Sequence, residues 1–373
     1  MNIDKMNEVV KPPESVEVVA ERFRATVRPL EELRKRGLNP LASHQKLEGG
    51  ALTPDSFVIA NLEPMEREDC PNVLFMAPHG GEYAPENLFE RLTEEGQRST
   101  AVIDAGTFFI TQSERVPSLA TGFSRFCGFD LNRRPPEEAA NVAAPGSFIW
   151  ERTMTGASMY KPGQEPTETE REYLSKKYHA RYYKEVGQAV HKLSERRKSG
   201  ERVLMLDVHA FVDPNSQNAS VTSLLKRYLP ETDLTALKES NPIFVLSDRK
   251  GFSCDDDVKN AFVEALQTNF EALSEREKSL LLEGNASKEV VAVEKWFTAG
   301  GYNAEYGDKL RKSGQPWVNA LQLEINPTAF VAFDPVGGFE NATYNDEKLA
   351  IMKRLLEQVV LDVNKSVLSA KGA

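Results

Sequence analysis

Cysteine and histidine are both scarce in this sequence of 373 residues. Only three cysteines are present, and no two of them form a CxxC pair. A disulfide framework and a cysteine-rich zinc module are therefore excluded, because both need paired or clustered thiols. Any chemistry that uses imidazole has few candidates, since the histidines are His44, His79, His179, His191 and His209.

Long hydrophobic runs and an excess of positive charge are also missing. No apolar run approaches the about 18–20 residues of a membrane span, and the N-terminus lacks the apolar core of a signal peptide. The net charge of −10 argues against a nucleic-acid-binding surface as the main function. The sequence therefore predicts neither nucleic-acid nor membrane partners, and the cytosol is the expected compartment.

Short apolar runs of strand length alternate with helical periods after residue 55. These runs cover 57–62, 72–78, 99–106, 202–210, 242–247, 288–296 and 318–325. Several are apolar throughout, which is typical of strands buried on both faces of a mostly parallel sheet. We predict a single three-layer α/β domain over 51–373, preceded by an N-terminal extension over 1–50.

Capping and terminating residues mark the boundaries of the predicted helices between these runs. A proline at 85 and a glycine at 96 predict one helix between them. Thr167 and Glu170 fit a capping box, which predicts the start of a long helix that ends near Gly200. The segment 299–307, AGGYNAEYG, is interpreted as a glycine-punctuated loop that could cover a site or turn a corner.

Two strand ends carry histidine. His79 and Glu82 form an HxxE pair, in which a histidine and a carboxylate can bind one zinc ion. Nearly one pair with this spacing is expected by chance in this sequence, so the spacing alone is no evidence. The position is more informative, because His79 directly follows the apolar run VLFMAP and His209 ends the run LMLDVHA. Open α/β folds place their sites at such strand ends. These three residues are candidate metal ligands, and Asp207 is a candidate for orienting His209.

The alternative is that both histidines only hydrogen-bond the backbone. The other three histidines are expected to be structural, with His179 as the first exception to consider.

A cluster of arginines follows in the segment 124–138. It contains Arg125, Asp130, Asn132, Arg133 and Arg134. The planar guanidinium matches a carboxylate through two hydrogen bonds, so the cluster predicts recognition of a small acidic substrate. A salt-bridged surface loop is the alternative.

A carboxylate lies near the end of the last apolar run, VNALQLEI. Glu324 shares one face of the predicted strand with Ala320 and Gln322. A carboxylate on a core strand is costly unless it is paired or functional, so Glu324 is a candidate general base. A solvated strand end is the alternative.

The order of these motifs resembles a known family. PHGGEYAPE, SRFCGFDLNR, LMLDVHA, GGYNAEYG and NALQLEI follow one another as in the N-formylglutamate amidohydrolases, relatives of the zinc carboxypeptidases and aspartoacylases. The resemblance covers about residues 57–330 and implies a three-layer α/β/α fold with a mixed sheet. It also implies one zinc ion per chain, with His79, Glu82 and His209 at the positions of the zinc ligands.

The resemblance assigns further roles around that zinc ion. Asn132 and Arg133 match the pair that binds the substrate carboxylate, and Arg125 matches the arginine that polarises the scissile carbonyl. Glu324 matches the carboxylate that activates water. Tyr302, in the segment 299–307, is expected to contact the substrate. The implied reaction is hydrolysis of a small N-acylated acidic amino acid, such as N-formylglutamate, to formate and the free amino acid.

Two other functions stay open at this point. One is a carboxypeptidase-like hydrolase of peptides or peptidoglycan fragments. The other is a non-catalytic binding protein that keeps the fold.

Overall fold

The computed structural model describes most of the chain from residue 57 onward and two short segments before it. The described residues are 15–22, 27–29, 57–81, 83–99, 104–124, 127–138, 148–153, 156–211, 226, 230–283, 289–293, 301–334 and 338–369. Among them, no helix is long and apolar enough to cross a membrane.

Eleven strands occur in the described residues. They are β1 (Val27–Pro29), β2 (Val58–Asn61), β3 (Val73–Ala77), β4 (Tyr83–Pro85), β5 (Ser118–Thr121), β6 (Val203–Ala210), β7 (Phe244–Ser247), β8 (Val291–Val293), β9 (Val318–Ile325), β10 (Val331–Asp334) and β11 (Gly338–Tyr344).

The helices lie between these strands. They are α1 (Val16–Arg22), α2 (Glu86–Phe89), α3 (Glu94–Ser99), α4 (Ala105–Thr111), α5 (Glu168–Leu174), α6 (Ala180–Arg196), α7 (Glu231–Ser240), α8 (Asp256–Glu271), α9 (Glu275–Leu281), α10 (Tyr302–Lys312) and α11 (Asp346–Val363). A π-helical turn, Ser175–His179, joins α5 to α6, and another, Asn364–Leu368, follows α11. The capping box predicted at Thr167 is confirmed at the start of α5.

Seven of the strands form one mixed sheet in the order β2-β5-β3-β6-β9-β7-β8. Strands β5, β3, β6 and β9 run parallel, and β7 and β8 run parallel to each other but antiparallel to β9. Strand β2 adds an antiparallel edge. The predicted mostly parallel mixed sheet is therefore confirmed.

Both faces of this sheet are covered, as its apolar strands predict. In β3, Leu74 and Met76 join the hydrophobic core that includes α6, whereas Val73 and Phe75 join the core that includes α8 and α11. The predicted alternation in β9 is confirmed as well, because Ala320 and Leu321 belong to opposite cores. Helices on both faces give the three-layer arrangement.

Two local predictions are wrong, and a third is tested only at its ends. Residues 100–103 of the run 99–106 lie outside the described residues, and its described ends belong to helices, since Ser99 ends α3 and Ala105 begins α4. The single helix predicted between Pro85 and Gly96 is two helices, α2 and α3. The segment predicted as a loop around Tyr302 begins a helix, α10.

The described part of the N-terminal extension packs on the main domain. Helix α1 contacts α5, and β1 pairs in antiparallel fashion with β4, which immediately follows residue 82. The division of the chain at residue 50 stays a prediction.

Candidate active site

Neighbouring strands bring His79 and His209 together. Strands β3 and β6 are parallel partners, so their carboxyl ends meet at one edge of the sheet. His79 follows β3 and His209 lies near the end of β6, and both side chains are buried. The Nδ1 atoms of the two rings are 3.2 Å apart. The predicted proximity of the two strand-end histidines is therefore confirmed.

A close approach of the backbone supports this edge. A Cβ atom on Gly81 would lie 1.9 Å from the carbonyl carbon of Gly122. The Gly81 amide donates to the carbonyl of Phe123 instead, which ties the chain after His79 to the segment after β5. Only glycine fits at position 81 without moving that backbone.

The outer nitrogen of each imidazole faces a carboxylate. His79 Nε2 is 2.5 Å from Asp130 Oδ1, and His209 Nε2 is 2.9 Å from Asp207 Oδ2. An ionised carboxylate only accepts hydrogen bonds, so His79 Nε2 carries the proton and donates to Asp130. His209 Nε2 has two partners, the Asp207 carboxylate and the side-chain amide nitrogen of Asn132 at 2.9 Å, so it can donate to the first or accept from the second. The predicted contact between Asp207 and His209 is confirmed. His79 therefore presents an unprotonated Nδ1 toward the Nδ1 of His209.

Asp104 is the third side chain at this point, and the sequence patterns did not indicate it. Its carboxylate oxygen Oδ2 is 3.9 Å from His79 Nδ1, and one ligand atom from each of the three residues lies within 4.8 Å of the others. The Ala210 amide donates to Asp104 Oδ1 at 2.7 Å, which fixes the carboxylate beside the end of β6. Asp104 immediately precedes α4 and is fully buried.

This donor set fits a divalent metal ion. At 3.2 Å the two Nδ1 atoms need either a shared proton or a cation between them. Two nitrogen ligands at about 2.0–2.1 Å from a tetrahedral zinc ion would be about 3.3 Å apart. Imidazoles whose second nitrogen donates to a carboxylate are the usual environment of zinc-bound histidine. The buried His79–Asp104–His209 cluster can therefore hold a metal.

A network of amides orients Asp207. Asn303 Nδ2 donates to Asp207 Oδ1 at 2.7 Å, and Asn132 Nδ2 donates to Asp207 Oδ2 at 3.0 Å. The Asn132 side-chain oxygen accepts from the backbone amide of Asn303, at the start of α10. Both ends of the Asn132 amide thus already bond within the protein. Substrate binding by Asn132 stays a prediction, and it would require one of these bonds to be exchanged.

Glu324 lies on the strand next to His209. The two residues are direct partners in the pairing of β6 with β9, and Glu324 is buried. Gln322 Nε2 donates to Glu324 Oε1 at 2.5 Å, and Gln322 Oε1 accepts from the Gly301 amide. The Gly301 bond fixes which end of the Gln322 amide faces Glu324. The carboxylate is therefore held in a defined orientation beside the histidine pair.

The predicted arginines lie around the same segment. Arg133 is partly exposed, its Nε is 3.6 Å from Asp130 Oδ2, and its Nη1 donates to the carbonyl of Asn132. Arg134 is more exposed and pairs with Glu305 at 2.8 Å. Arg133 is thus the arginine of this pair that adjoins the His79–Asp130 contact.

Two of the predicted site residues, Glu82 and Arg125, lie outside the described residues. Their roles as a metal ligand and as a carbonyl-polarising group stay predictions.

Tyr302 is held by polar side chains. Its hydroxyl donates to Glu138 at 2.9 Å and accepts from Lys309 at 2.9 Å. Burial raises the pKa of Tyr302 to about 12, although the Lys309 ammonium opposes that shift. A contact with substrate stays a prediction for Tyr302, and it would compete with these bonds.

His179 is buried against this cluster and behaves as a neutral imidazole. Burial lowers the pKa of His179 to about 4, and the nearby Lys309 ammonium adds to that effect. The Arg133 carbonyl and the carboxylates of Glu138 and Asp130 oppose it. Because a carbonyl only accepts, His179 Nε2 carries the proton and donates to Arg133 O at 2.9 Å.

We expect this buried histidine to destabilise the protein in acid. The folded pKa lies below the usual 6.5, so the unfolded chain binds the proton first as the pH falls. The stability that the neutral His179 side chain contributes is fully present above pH 6.5 and is lost progressively toward pH 4. With that shift, His179 should lower the free energy of unfolding by about 2 kcal/mol at pH 5. Urea unfolding of wild type and His179→Phe at pH 7.5 and pH 5 measures this cost.

The variant should gain stability relative to wild type at pH 5 by that amount. The same difference between the two proteins at both pH values would contradict the prediction. The comparison cancels the titration of groups that both proteins share.

Comparisons with known proteins identify a family and a similar fold. The sequence profile of a family described as N-formylglutamate amidohydrolase matches residues 72–330. The solved structure of N-formylglutamate amidohydrolase from Ralstonia eutropha JMP134 is 20% identical, with a TM-score of 0.52, over 83% of this chain and 98% of that one. A gene product of Agrobacterium tumefaciens is 15% identical, with a TM-score of 0.45, over 81% and 93% of the two chains. A search of curated proteins found no match.

Proposed function

The chain belongs to the N-formylglutamate amidohydrolase family, whose members act on amide bonds, and on this premise we propose that it is a zinc-dependent amidohydrolase. Its proposed substrate is a small N-acylated acidic amino acid, and N-formylglutamate would yield formate and glutamate. One observation carries the proposal. Two buried imidazoles direct their Nδ1 atoms to one point, 3.2 Å apart, and a buried carboxylate, Glu324, lies on the strand next to His209.

We propose that His79, Asp104 and His209 hold the zinc ion, together with Glu82 if its side chain reaches the same point. A bound zinc ion supplies a Lewis acid that polarises a carbonyl and lowers the pKa of water. The carboxylate of Asp130 keeps the proton on the Nε2 of His79, and with zinc bound at Nδ1 the carboxylate of Asp207 would accept from the Nε2 of His209. Their negative charge also strengthens each imidazole as a ligand.

Glu324 is the proposed general base. Its carboxylate accepts a proton from the attacking water and then donates it to the leaving amine. Gln322 holds the carboxylate in one orientation, so the proton travels between fixed positions. Arg125 is proposed to polarise the scissile carbonyl and to stabilise the negative charge that develops on its oxygen.

The substrate carboxylate is assigned to Arg133 and Asn132. The partly exposed guanidinium of Arg133 can form two parallel hydrogen bonds with a carboxylate. Such an anchor orients the amide toward Glu324 and selects acidic substrates.

Release of formate tests this function. Purified protein is expected to convert N-formylglutamate to formate and glutamate in equal amounts. A chelator should stop the reaction, and added zinc should restore it, because the zinc ion is proposed to polarise the amide carbonyl. A peptide that ends in glutamate is the parallel substrate. Cleavage of that peptide, together with no release of formate from N-formylglutamate, would overturn the proposal in favour of a carboxypeptidase-like activity.

A further inference from the structure

Three consecutive backbone carbonyls beside the proposed site are each held by a different donor. The Tyr183 hydroxyl donates to the carbonyl of Leu131 at 3.2 Å. The Tyr302 amide donates to the carbonyl of Asn132 at 3.0 Å. His179 Nε2 donates to the carbonyl of Arg133 at 2.9 Å. The backbone that carries the proposed carboxylate anchor is therefore fixed residue by residue.

The three donor residues also pack on one another. The ring centroids of His179 and Tyr183 are 4.6 Å apart, those of His179 and Tyr302 are 4.9 Å apart, and those of Tyr183 and Tyr302 are 4.7 Å apart. All three side chains are buried. A donor that is packed in this way loses little further freedom when it bonds the carbonyl.

A local distortion of the helix places His179 in this cluster. Residues Ser175–His179 form a π-helical turn between two α-helical segments, and His179 is its last residue. Such turns are rare and frequently occur at functional sites. Regular helix resumes at Ala180, so His179 and Tyr183 are four residues apart and lie on one face. Both can therefore reach the strip of carbonyls from Leu131 to Arg133.

The guanidinium of Arg133 depends on the same backbone. Its Nη1 donates to the carbonyl of Asn132 at 3.1 Å, so the side chain folds back on the segment that the aromatic donors hold. Its Nε lies 3.6 Å from Asp130, the carboxylate that bonds His79. A shift of this segment would therefore move the guanidinium relative to the histidine pair.

We propose that His179 is a positioning residue that, with Tyr183, fixes the backbone of Leu131–Arg133 so that the Arg133 guanidinium meets the substrate carboxylate. This inference rests on the proposed role of Arg133 as the carboxylate anchor. His179 itself does not touch the substrate. Its effect on substrate binding is exerted only through Arg133, so the effect should disappear when the Arg133 side chain is removed.

A double-mutant cycle on substrate binding tests the inference. All proteins carry Glu324→Gln so that N-formylglutamate is not consumed, and calorimetry measures its dissociation constant for zinc-loaded protein. Arg133→Ala should weaken binding about 10- to 100-fold, as expected for loss of hydrogen bonds from a charged group. His179→Phe keeps an aromatic ring but removes the donor, and it should weaken binding about 3- to 10-fold. His179→Gln keeps an N–H donor and should restore binding to near the parent value.

The effect of His179→Phe should vanish when Arg133 is already alanine, because the two residues act through one contact. Arg276→Ala is the matched control, since this exposed arginine of α9 pairs with Glu347 of α11 and should leave binding near the parent value. If His179→Phe does not fold, Tyr183→Phe removes only the hydroxyl that donates to Leu131 and enters the same cycle.

The outcomes separate this inference from the proposed function. Equal weakening by His179→Phe with and without the Arg133 side chain would overturn the inference and leave the anchor intact. Unchanged binding in Arg133→Ala would overturn the anchor and the inference together. The zinc content of every variant shows whether the metal site, rather than the anchor, has been disturbed.

Discussion

Glu324→Gln is expected to lower kcat for formate release by about 10²- to 10⁴-fold, the usual contribution of a positioned general base. Glutamine has nearly the same size as glutamate but cannot accept a proton at neutral pH. Glu324 is buried and lies opposite His209 on the neighbouring strand, so bulk water is a poor substitute for it as the base. Formate release under single-turnover conditions measures the chemical step, and metal analysis shows whether zinc is retained.

Gln322 explains why the loss should appear in kcat. Its amide is fixed by the Gly301 backbone and bonds one oxygen of Glu324, so the base is oriented before substrate arrives. A Cβ atom on Gly301 would lie 1.9 Å from Asn132 Nδ2, so the start of α10 packs closely against the side-chain amides of Asn132 and Gln322. The glutamine variant keeps this packing. Substrate and zinc binding should therefore change much less than turnover.

Glu170→Gln is the matched control for this substitution. Glu170 is also fully buried, but it bonds Arg91 and the capping box of α5 rather than the histidine cluster. The control should lose stability without a comparable fall in kcat. Near-normal turnover by Glu324→Gln with zinc bound would exclude Glu324 as the base.

The fold could be predicted where burial alone decides the structure. Strands β3, β6 and β9 are buried along their whole length and mostly apolar, and a short apolar run with helices on either side has few other arrangements. The parallel neighbours β3 and β6 then bring their carboxyl ends together. That geometry is why His79 and His209 could be identified before their distance was known.

The described ends of the run 99–106 belong to helices, which the strand prediction missed. A short apolar run fits a strand or a buried helix equally well, because it has no distinctive period. The deciding contacts lie far away in the sequence. A Cβ atom on Gly106 would lie 2.5 Å from the ring of Phe330, so α4 packs closely against the segment after β9. The Ala210 amide bonds Asp104 just before that helix.

Asp104 carries no comparable sequence signal. The residues that the sequence indicates are histidines at strand ends and a carboxylate at short spacing, and Asp104 is neither. It reaches the cluster from the start of a helix, through a contact with Ala210 across 106 residues. Asn132 illustrates a related limit, because its motif indicated a site residue but not that its amide would bond Asp207.

Asp104→Asn is expected to lower the zinc affinity by more than the about 10- to 100-fold typical of an outer carboxylate. The amide oxygen of asparagine can still accept from Ala210, so the substitution changes the charge at Oδ2 while the Oδ1 contact is kept. Purified wild type should contain about one zinc ion per chain, held by two histidines and this carboxylate. Competition with a chromophoric chelator measures the dissociation constant for zinc in each protein.

Three further variants decide which carboxylates hold the metal. Asp130→Asn removes the partner of His79 Nε2 and should fall within the outer-carboxylate range. Asp248→Asn alters a buried carboxylate paired with Lys259 away from the cluster, and it should bind zinc as wild type does. Glu82→Gln tests the HxxE pair directly. Loss of zinc in Glu82→Gln together with wild-type affinity in Asp104→Asn would remove Asp104 from the ligand set, and its carboxylate would then serve only to hold the end of β6 through Ala210.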